Sequence, residues 1–85
     1  MLDVSGRHPS VQAFEDKFRW EHLPSGLPQE TSRIFAEAAG QLVSLLPDSP
    51  EIPVALCKLW EAKNEAVYHA VNVQRQKEQE NLYRG

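Results

Sequence analysis

The chain lacks the covalent and metal cross-links that stabilise many small domains. It has 85 residues and a single cysteine, Cys57, so no disulfide can form within it. Its three histidines are scattered and offer no ligand spacing to accompany that cysteine, so we expect neither a structural zinc site nor a cofactor. The core of so short a chain is marginal by itself. Helix packing or oligomerisation is therefore expected to supply its stability.

Long apolar runs are also missing. No segment approaches the roughly 18 apolar residues of a membrane span, and the N-terminal residues show no basic region followed by an apolar stretch. We therefore expect no membrane partner. A cytosolic protein with a reduced thiol is the reading that this absence favours.

Clustered positive charge and catalytic motifs are absent as well. The net charge is −3 and the basic residues form no run, which disfavours duplex nucleic acid as a partner while leaving small anions open. The sequence has no glycine-rich phosphate loop, no histidine pair at metal spacing and no nucleophile motif. These absences favour a protein that is not an enzyme.

What the chain does have is apolar residues at helical spacing, which predict an all-α fold. A short helix begins at Pro9 or Ser10 and continues over residues 11–20, and two long helices cover about 28–46 and 53–79. The proline-rich connection PDSPEIP is short enough to predict that the long helices form an antiparallel hairpin.

The domain organisation follows from the same pattern. Residues 9–75 are expected to form a single helical-hairpin domain. Residues 1–8 show no periodicity and are expected to form a flexible N-terminal arm, whereas residues 76–85 form a polar C-terminal tail that frays and then becomes disordered.

The predicted lengths of the two long helices indicate an assembly. At a rise of about 1.5 Å per residue, the first spans about 28 Å and the second about 40 Å, so the second outruns its partner. The overhang is expected to pack on the N-terminal helix or on another subunit, because it still carries apolar residues: Ala66, Val67, Ala70, Val71 and Val73. We therefore expect a homo-oligomer.

A single lysine, Lys63, interrupts the apolar stripe of the last helix. On a helical wheel it falls near the centre of the arc formed by Ile52, Leu56, Leu59, Ala66, Val67 and Ala70. Burial of an unpaired ammonium is costly. The Lys63 side chain is therefore expected to extend toward solvent, to form an ion pair at a subunit interface, or to contact a phosphate or carboxylate of a ligand.

Aromatic and basic residues before the first turn are the other candidates for binding. Phe14 and Phe18 share a helical face and are expected in the core, whereas Trp20, beside His22, suits stacking on a nucleobase. Arg33 either pairs with Glu30 or Glu37 along its helix or contacts an anion near the helix N-terminus. Cys57 is read as a small, partly buried apolar residue in preference to a reactive thiol.

Residues 18–71 resemble small bacteriophage proteins that carry the helical-hairpin domain of anti-CBASS and anti-Thoeris sponges. The family pattern has a first half of the form HLP…LQ…S…F…A…L and a second half of the form AL.KL.EAK…AV. The residues that match it here are His22, Leu23, Pro24, Leu27, Gln29, Ser32, Phe35, Ala38, Leu42, Ala55, Leu56, Lys58, Leu59, Glu61, Ala62, Lys63, Ala66 and Val67.

The resemblance implies a non-enzymatic protein that assembles into a homohexamer from dimers. Such proteins sequester nucleotide immune signals, notably cyclic di- or trinucleotides, in the cytoplasm of the infected bacterial host. It implies base stacking by Trp20 and phosphate contacts by Lys58 and Lys63, with Arg33 a weaker candidate. Tyr68 stands where the family pattern has an arginine, so this chain lacks one of the expected phosphate contacts unless the hydroxyl replaces it.

The sequence leaves two functions open. One is a signal sponge that binds a nucleotide second messenger through residues that include Trp20, His22, Arg33, Lys58, Lys63 and Tyr68. The alternative is a structural or protein-interaction module that has no nucleotide ligand and binds another polypeptide through its apolar overhang.

Overall fold

The computed structural model of the chain describes residues 2–23 and 25–84, with side chains to residue 80. Met1, Pro24 and Gly85, which belong to the predicted arm, turn and tail, lie outside the described residues. The helices are α1 (Pro9–Gln12), α2 (Leu27–Leu45) and α3 (Glu51–Arg84). No strand occurs in the described ranges. The all-α prediction, with a short first helix before two long helices that pack together, is confirmed.

The two long helices begin and end where local chemistry requires. The N-terminus of α2 follows Gly26, whose φ of 124° disfavours other residue types, and Pro28 occupies its first turn. The α2 helix ends at an extended Leu46, as expected before Pro47. Residues 46–50 then reverse the chain direction into α3.

The register of the hairpin is set at its open end. The backbone N–H of Leu27 donates to Gln74 Oε1 at 2.9 Å, so the first turn of α2 is level with Gln74. Residues 66–73 of α3 consequently pack alongside α2 and the preceding turn, and Ala70 is buried there. The last helix is longer than its partner, as predicted, but the prediction that residues 66–73 form the overhang is wrong. The part of α3 that projects past α2 begins after Gln74 and is polar, and it remains helical to Arg84 where a frayed tail was expected.

The first helix is much shorter than the predicted helix over residues 11–20. The helix contains only four residues. Its N-cap is His8, whose Nδ1 accepts a hydrogen bond from the Ser10 N–H. Beyond it, the N–H groups of Phe14 and Lys17 bond to carbonyls three residues earlier, so tight turns replace the α-helix. These turns still bury Phe14 and Phe18 against the hairpin. Core packing therefore survives the loss of the helix.

Residues 2–7, which belong to the arm of residues 1–8 that was expected to be flexible, pack on the hairpin. Leu2 and Val4 belong to the core, and neither follows a helical period. Arg7 fixes the end of this segment: its Nη2 donates to Leu46 O at 2.9 Å, its Nη1 to Val43 O, and its Nε pairs with Asp48 at 2.5 Å. The guanidinium thus satisfies carbonyls that α2 leaves free at its C-terminus.

The core lies between the hairpin and the layer formed by residues 2–20. Its buried apolar members are Leu2, Val4, Val11, Phe14, Phe18, Ala39, Val43, Ile52 and Leu56. One polar side chain, Ser32, is fully buried among them and donates its hydroxyl to the Arg19 carbonyl at 3.3 Å. Among the described helices, none has the length and apolar character needed to cross a lipid bilayer.

Candidate functional site

A cleft of about 310 Å³ opens where the turn after the N-terminal layer meets the middle of α3. The turn contributes Arg19, His22 and Leu23, and α3 contributes the remaining lining residues: Lys63, Asn64, Val67 and Tyr68. Its volume is at the lower end of the range of about 300 to 1,000 Å³ that small-molecule sites occupy.

The four α3 residues share one side of the helix because they recur at intervals of one and four. The turn residues reach the same place because Phe18, fully buried, anchors the chain immediately before Arg19. The Ser32 hydroxyl on α2 donates a hydrogen bond to the Arg19 carbonyl. The cleft is therefore built from residues that the fold fixes on both walls.

Lys63 extends from the apolar stripe toward the turn. Its Nζ donates to the carbonyl of Lys17 at 2.5 Å and lies 5.9 Å from the centre of the Phe18 ring. Burial lowers the pKa of Lys63, because the apolar surroundings disfavour the charged form. The ammonium satisfies one backbone carbonyl and has further N–H donors for a ligand in the cleft.

The cleft has the chemistry of an anion site. Two of its lining residues, Arg19 and Lys63, are cations, and none of the lining residues is a carboxylate. His22, Asn64 and Tyr68 add an imidazole, an amide and a hydroxyl, and Tyr68 presents an aromatic ring that is 70% exposed. Such a set can hold a phosphate by charge-assisted hydrogen bonds and offer a planar surface to a base.

Three of the residues predicted from the sequence therefore meet in one cleft: His22, Lys63 and Tyr68. Arg19 was not predicted to be among them. A helix over residues 11–20 would have placed Arg19 one turn after Glu15. In the structure Arg19 follows a series of turns and lines the cleft beside α3. Its one sequence signal was a basic residue directly before Trp20.

Trp20 and Arg33 form a separate pair. The Arg33 Cζ lies 5.3 Å from the centre of the Trp20 ring, and the Arg33 Nε donates to Glu37 Oε1 at 3.0 Å. Trp20 borders a different pocket, between Phe18 and α2. Of the two readings for Arg33, the structure shows pairing with Glu37. The guanidinium also occupies one face of the ring that was predicted to stack on a base.

Lys58 and Cys57 lie elsewhere on α3. Lys58 is exposed and does not line the cleft. Cys57 is half-buried at the edge of the core, with its Sγ 3.9 Å from Glu61 Oε1. Its position agrees with that of a small apolar residue.

A second cleft, near the hairpin connection, joins a histidine, a serine and an aspartate. The His8 Nδ1 lies 2.8 Å from Ser10 Oγ, but Asp48 Oδ2 accepts the backbone N–H of His8 and not its ring. His8 caps α1, and Asp48 binds the backbone N–H of His8 and so fixes the start of α1 to the hairpin connection. The three groups do not form the hydrogen-bond relay that activates a nucleophile. The described side chains contain no cluster of three or more metal-ligating residues.

Comparison with known proteins adds no relative to these observations. No family model, no curated protein and no solved structure matches the chain.

Proposed function

We propose that the chain binds a nucleotide second messenger, a cyclic di- or trinucleotide or a related signal, and sequesters it without cleaving it. The observation that carries this proposal is the convergence of Arg19, His22, Lys63 and Tyr68 on one cleft without a carboxylate in its lining. By its resemblance to phage sponges, the protein would act in the cytoplasm of an infected bacterium.

The contacts that the cleft offers account for part of the binding free energy that a sponge needs. A phosphate held by Arg19 and Lys63 makes charge-assisted bonds worth about 1.5 to 3 kcal/mol each. A base on the exposed ring of Tyr68 adds about 1 to 3 kcal/mol by stacking. A nanomolar complex needs about 12 kcal/mol. The remainder requires a more enclosed site, and a neighbouring subunit of the expected homo-oligomer, a hexamer by resemblance, would provide it.

The test compares two lysines of the same helix. Titration calorimetry with cyclic di- and trinucleotides and an ADP-ribose-type molecule should show binding to the wild type. Lys63→Met should weaken it about 10- to 100-fold by removing one charge-assisted bond. Lys58→Met should leave it unchanged, because Lys58 lies outside the cleft.

Chromatography of the released ligand should recover it intact, as sequestration requires. Absence of binding across the panel would refute the proposal. Equal loss in the two lysine variants would instead attribute binding to general positive charge and remove Lys63 from the site.

The alternative function, a protein-interaction module, is favoured by a different observation. Large apolar side chains remain exposed on α2, with Ile34 at 65% and Leu45 at 77% of their full exposure. This reading predicts that no nucleotide of the panel raises the melting temperature.

A further inference from the structure

The hairpin has one covered side and one open side. Residues 2–20 cover the first, through contacts such as Ser32 with Arg19 and Lys63 with Lys17. We call the open side the back face. On helical wheels it consists of Leu27, Ile34, Ala38 and Leu45 from α2 and Ala55, Ala62, Ala66 and Val73 from α3. All of them are exposed or only partly buried.

The amount of exposed surface is larger than a monomer of this size needs. The accessible area is 6064 Å² for a mass of 9.7 kDa. A folded monomer of that mass exposes about 5,100 Å². The excess of about 950 Å² is slightly larger than the 800 Å² that each partner contributes to a standard interface. The polar projection of α3 holds part of it, and the back face holds apolar surface of the kind that marks an interface.

We propose that a second copy of this chain covers the back face, with the two hairpins related by a two-fold axis parallel to the helices. In this arrangement, α2 of each copy lies antiparallel on α3 of the other. The four helices then form a bundle in which every neighbouring pair is antiparallel. The two copies present the same surface to each other, as a closed dimer requires.

The shapes of the two helices fit this pairing. Leu27 is level with Gln74 within the hairpin, and the axis keeps each residue at its own level in the second copy. The large side chains of α2 then meet small ones of α3. The pairs are Leu27 with Val73, Ile34 with Ala66, Ala38 with Ala62, and Leu45 with Ala55. Large residues opposite small ones permit the close helix approach of a packed core.

The charges at the rim are compatible with the same pairing. No charged residue lies within the back face. At its edges, Glu30 of one copy is within a turn of His69 of the other, and Gln41 is within a turn of Lys58. A carboxylate thus meets an imidazole and an amide meets an ammonium. Glu37 and Glu65 also come within a turn of each other at this rim, but Glu37 is already paired with Arg33 on its own helix. This pairing gives Lys58 a position at an interface edge.

The dimer and the proposed nucleotide cleft are on different sides of α3. Lys63, Asn64, Val67 and Tyr68 face the turn, whereas Ala62 and Ala66 face the second copy. The interface therefore needs no nucleotide to form, and it specifies one contact of the expected homo-oligomer.

Light scattering without ligand, from micromolar to millimolar chain, tests the interface. The wild type should have the mass of an even number of copies. The double variant Ile34→Glu, Leu45→Glu should have a smaller mass, because it places carboxylates in the apolar contact. Both side chains are exposed in the single chain, so its fold, checked by circular dichroism, should persist. Ser44→Glu is the matched control, since Ser44 is exposed on α2 but turned away from the back face.

Mixing two single variants tests the register. Ile34→Glu and Ala66→Lys should each weaken assembly alone, and an equimolar mixture should restore it, because one contact then pairs Glu with Lys and the other stays native. A wild type with the mass of one copy at every concentration would overturn the proposal, and so would a double variant of unchanged mass or a mixture that fails to assemble. Calorimetry on the double variant distinguishes this proposal from the proposed function. The cleft lies on the other side of α3, so the double variant should still bind nucleotide even when it no longer assembles.

Discussion

Replacement of Arg7 by methionine should destabilise the fold more than a substitution near a chain terminus usually does. The guanidinium is only 17% exposed and holds two carbonyls at the end of α2 in addition to Asp48. Methionine keeps an apolar stem of similar length and removes every donor. The substitution therefore isolates the hydrogen bonds that fix residues 2–7.

The magnitude follows from those bonds. Hydrogen bonds that involve a charged group contribute about 1.5 to 3 kcal/mol each, and the cost of ordering a long side chain offsets about 2 kcal/mol. Loss of the two carbonyl bonds should therefore lower the free energy of unfolding by about 2 to 3 kcal/mol, including weaker packing of the preceding residues. For a domain of this size, the melting temperature should fall by about 10 to 20 °C.

Urea unfolding followed by circular dichroism measures this difference, with Arg7→Lys as the comparison. Lysine keeps the charge but not the planar fork, so it should recover only part of the loss. A loss below about 0.5 kcal/mol for methionine would refute the anchoring role, because it would lie within the range of ordinary surface substitutions.

Acid provides an independent check of the same contact. The Arg7 hydrogen bond is the main reason that the pKa of Asp48 lies below its ordinary value of 3.8. A carboxyl whose pKa is lowered by folding contributes stability that is complete above the unfolded pKa and is lost as the pH falls through the folded pKa. The stability gap between wild type and Arg7→Met should consequently be constant near neutral pH and narrow below pH 3.8. A gap that widens in acid would contradict the assigned contact.

Three further predictions concern the turn and the cleft. Gly26→Ala should cost more than about 1 kcal/mol in urea unfolding, because the φ of 124° is strained for alanine and its Cβ would lie 2.6 Å from Gln74 Oε1; an unchanged midpoint would refute this. Ser32→Ala should cost about 1 kcal/mol and weaken nucleotide binding, because it frees the Arg19 carbonyl; binding at full strength would show that Arg19 needs no such support. Because burial lowers the pKa of Lys63, wild-type affinity in calorimetry should fall at a pH below the ordinary lysine pKa of 10.5, whereas Lys63→Arg should hold its affinity there; parallel pH profiles would remove the ammonium from the site.

Helical periodicity and loop chemistry were sufficient to predict the hairpin. The apolar residues of α2 and α3 recur at helical spacing, and Pro47, Pro50 and Pro53 end one helix and begin the next. Local signals of this kind depend only on near neighbours. They predicted the existence of the two long helices and the boundaries of α2 to within about two residues.

The N-terminal layer could not be predicted in the same way. Leu2 and Val4 are buried by contacts with residues far along the chain, and the anchor at Arg7 reaches carbonyls of Val43 and Leu46. Nothing near Arg7 in sequence signals those partners. The cleft combines both cases: the α3 wall follows from helical spacing, but Arg19 joins it from a segment of turns that the sequence pattern predicted to be helical.

The projecting end of α3 has a consequence for how the molecule moves through solution. The Cα radius of gyration is 15.5 Å, and the molecule measures 53 × 19 × 18 Å. A compact domain of this length has a radius of gyration of about 12 Å. A single copy is therefore a short rod, with a larger hydrodynamic radius than a sphere of the same mass and anisotropic rotational diffusion. It should elute from a sizing column ahead of a globular standard of equal mass, so elution volume alone would mistake one copy for a larger assembly.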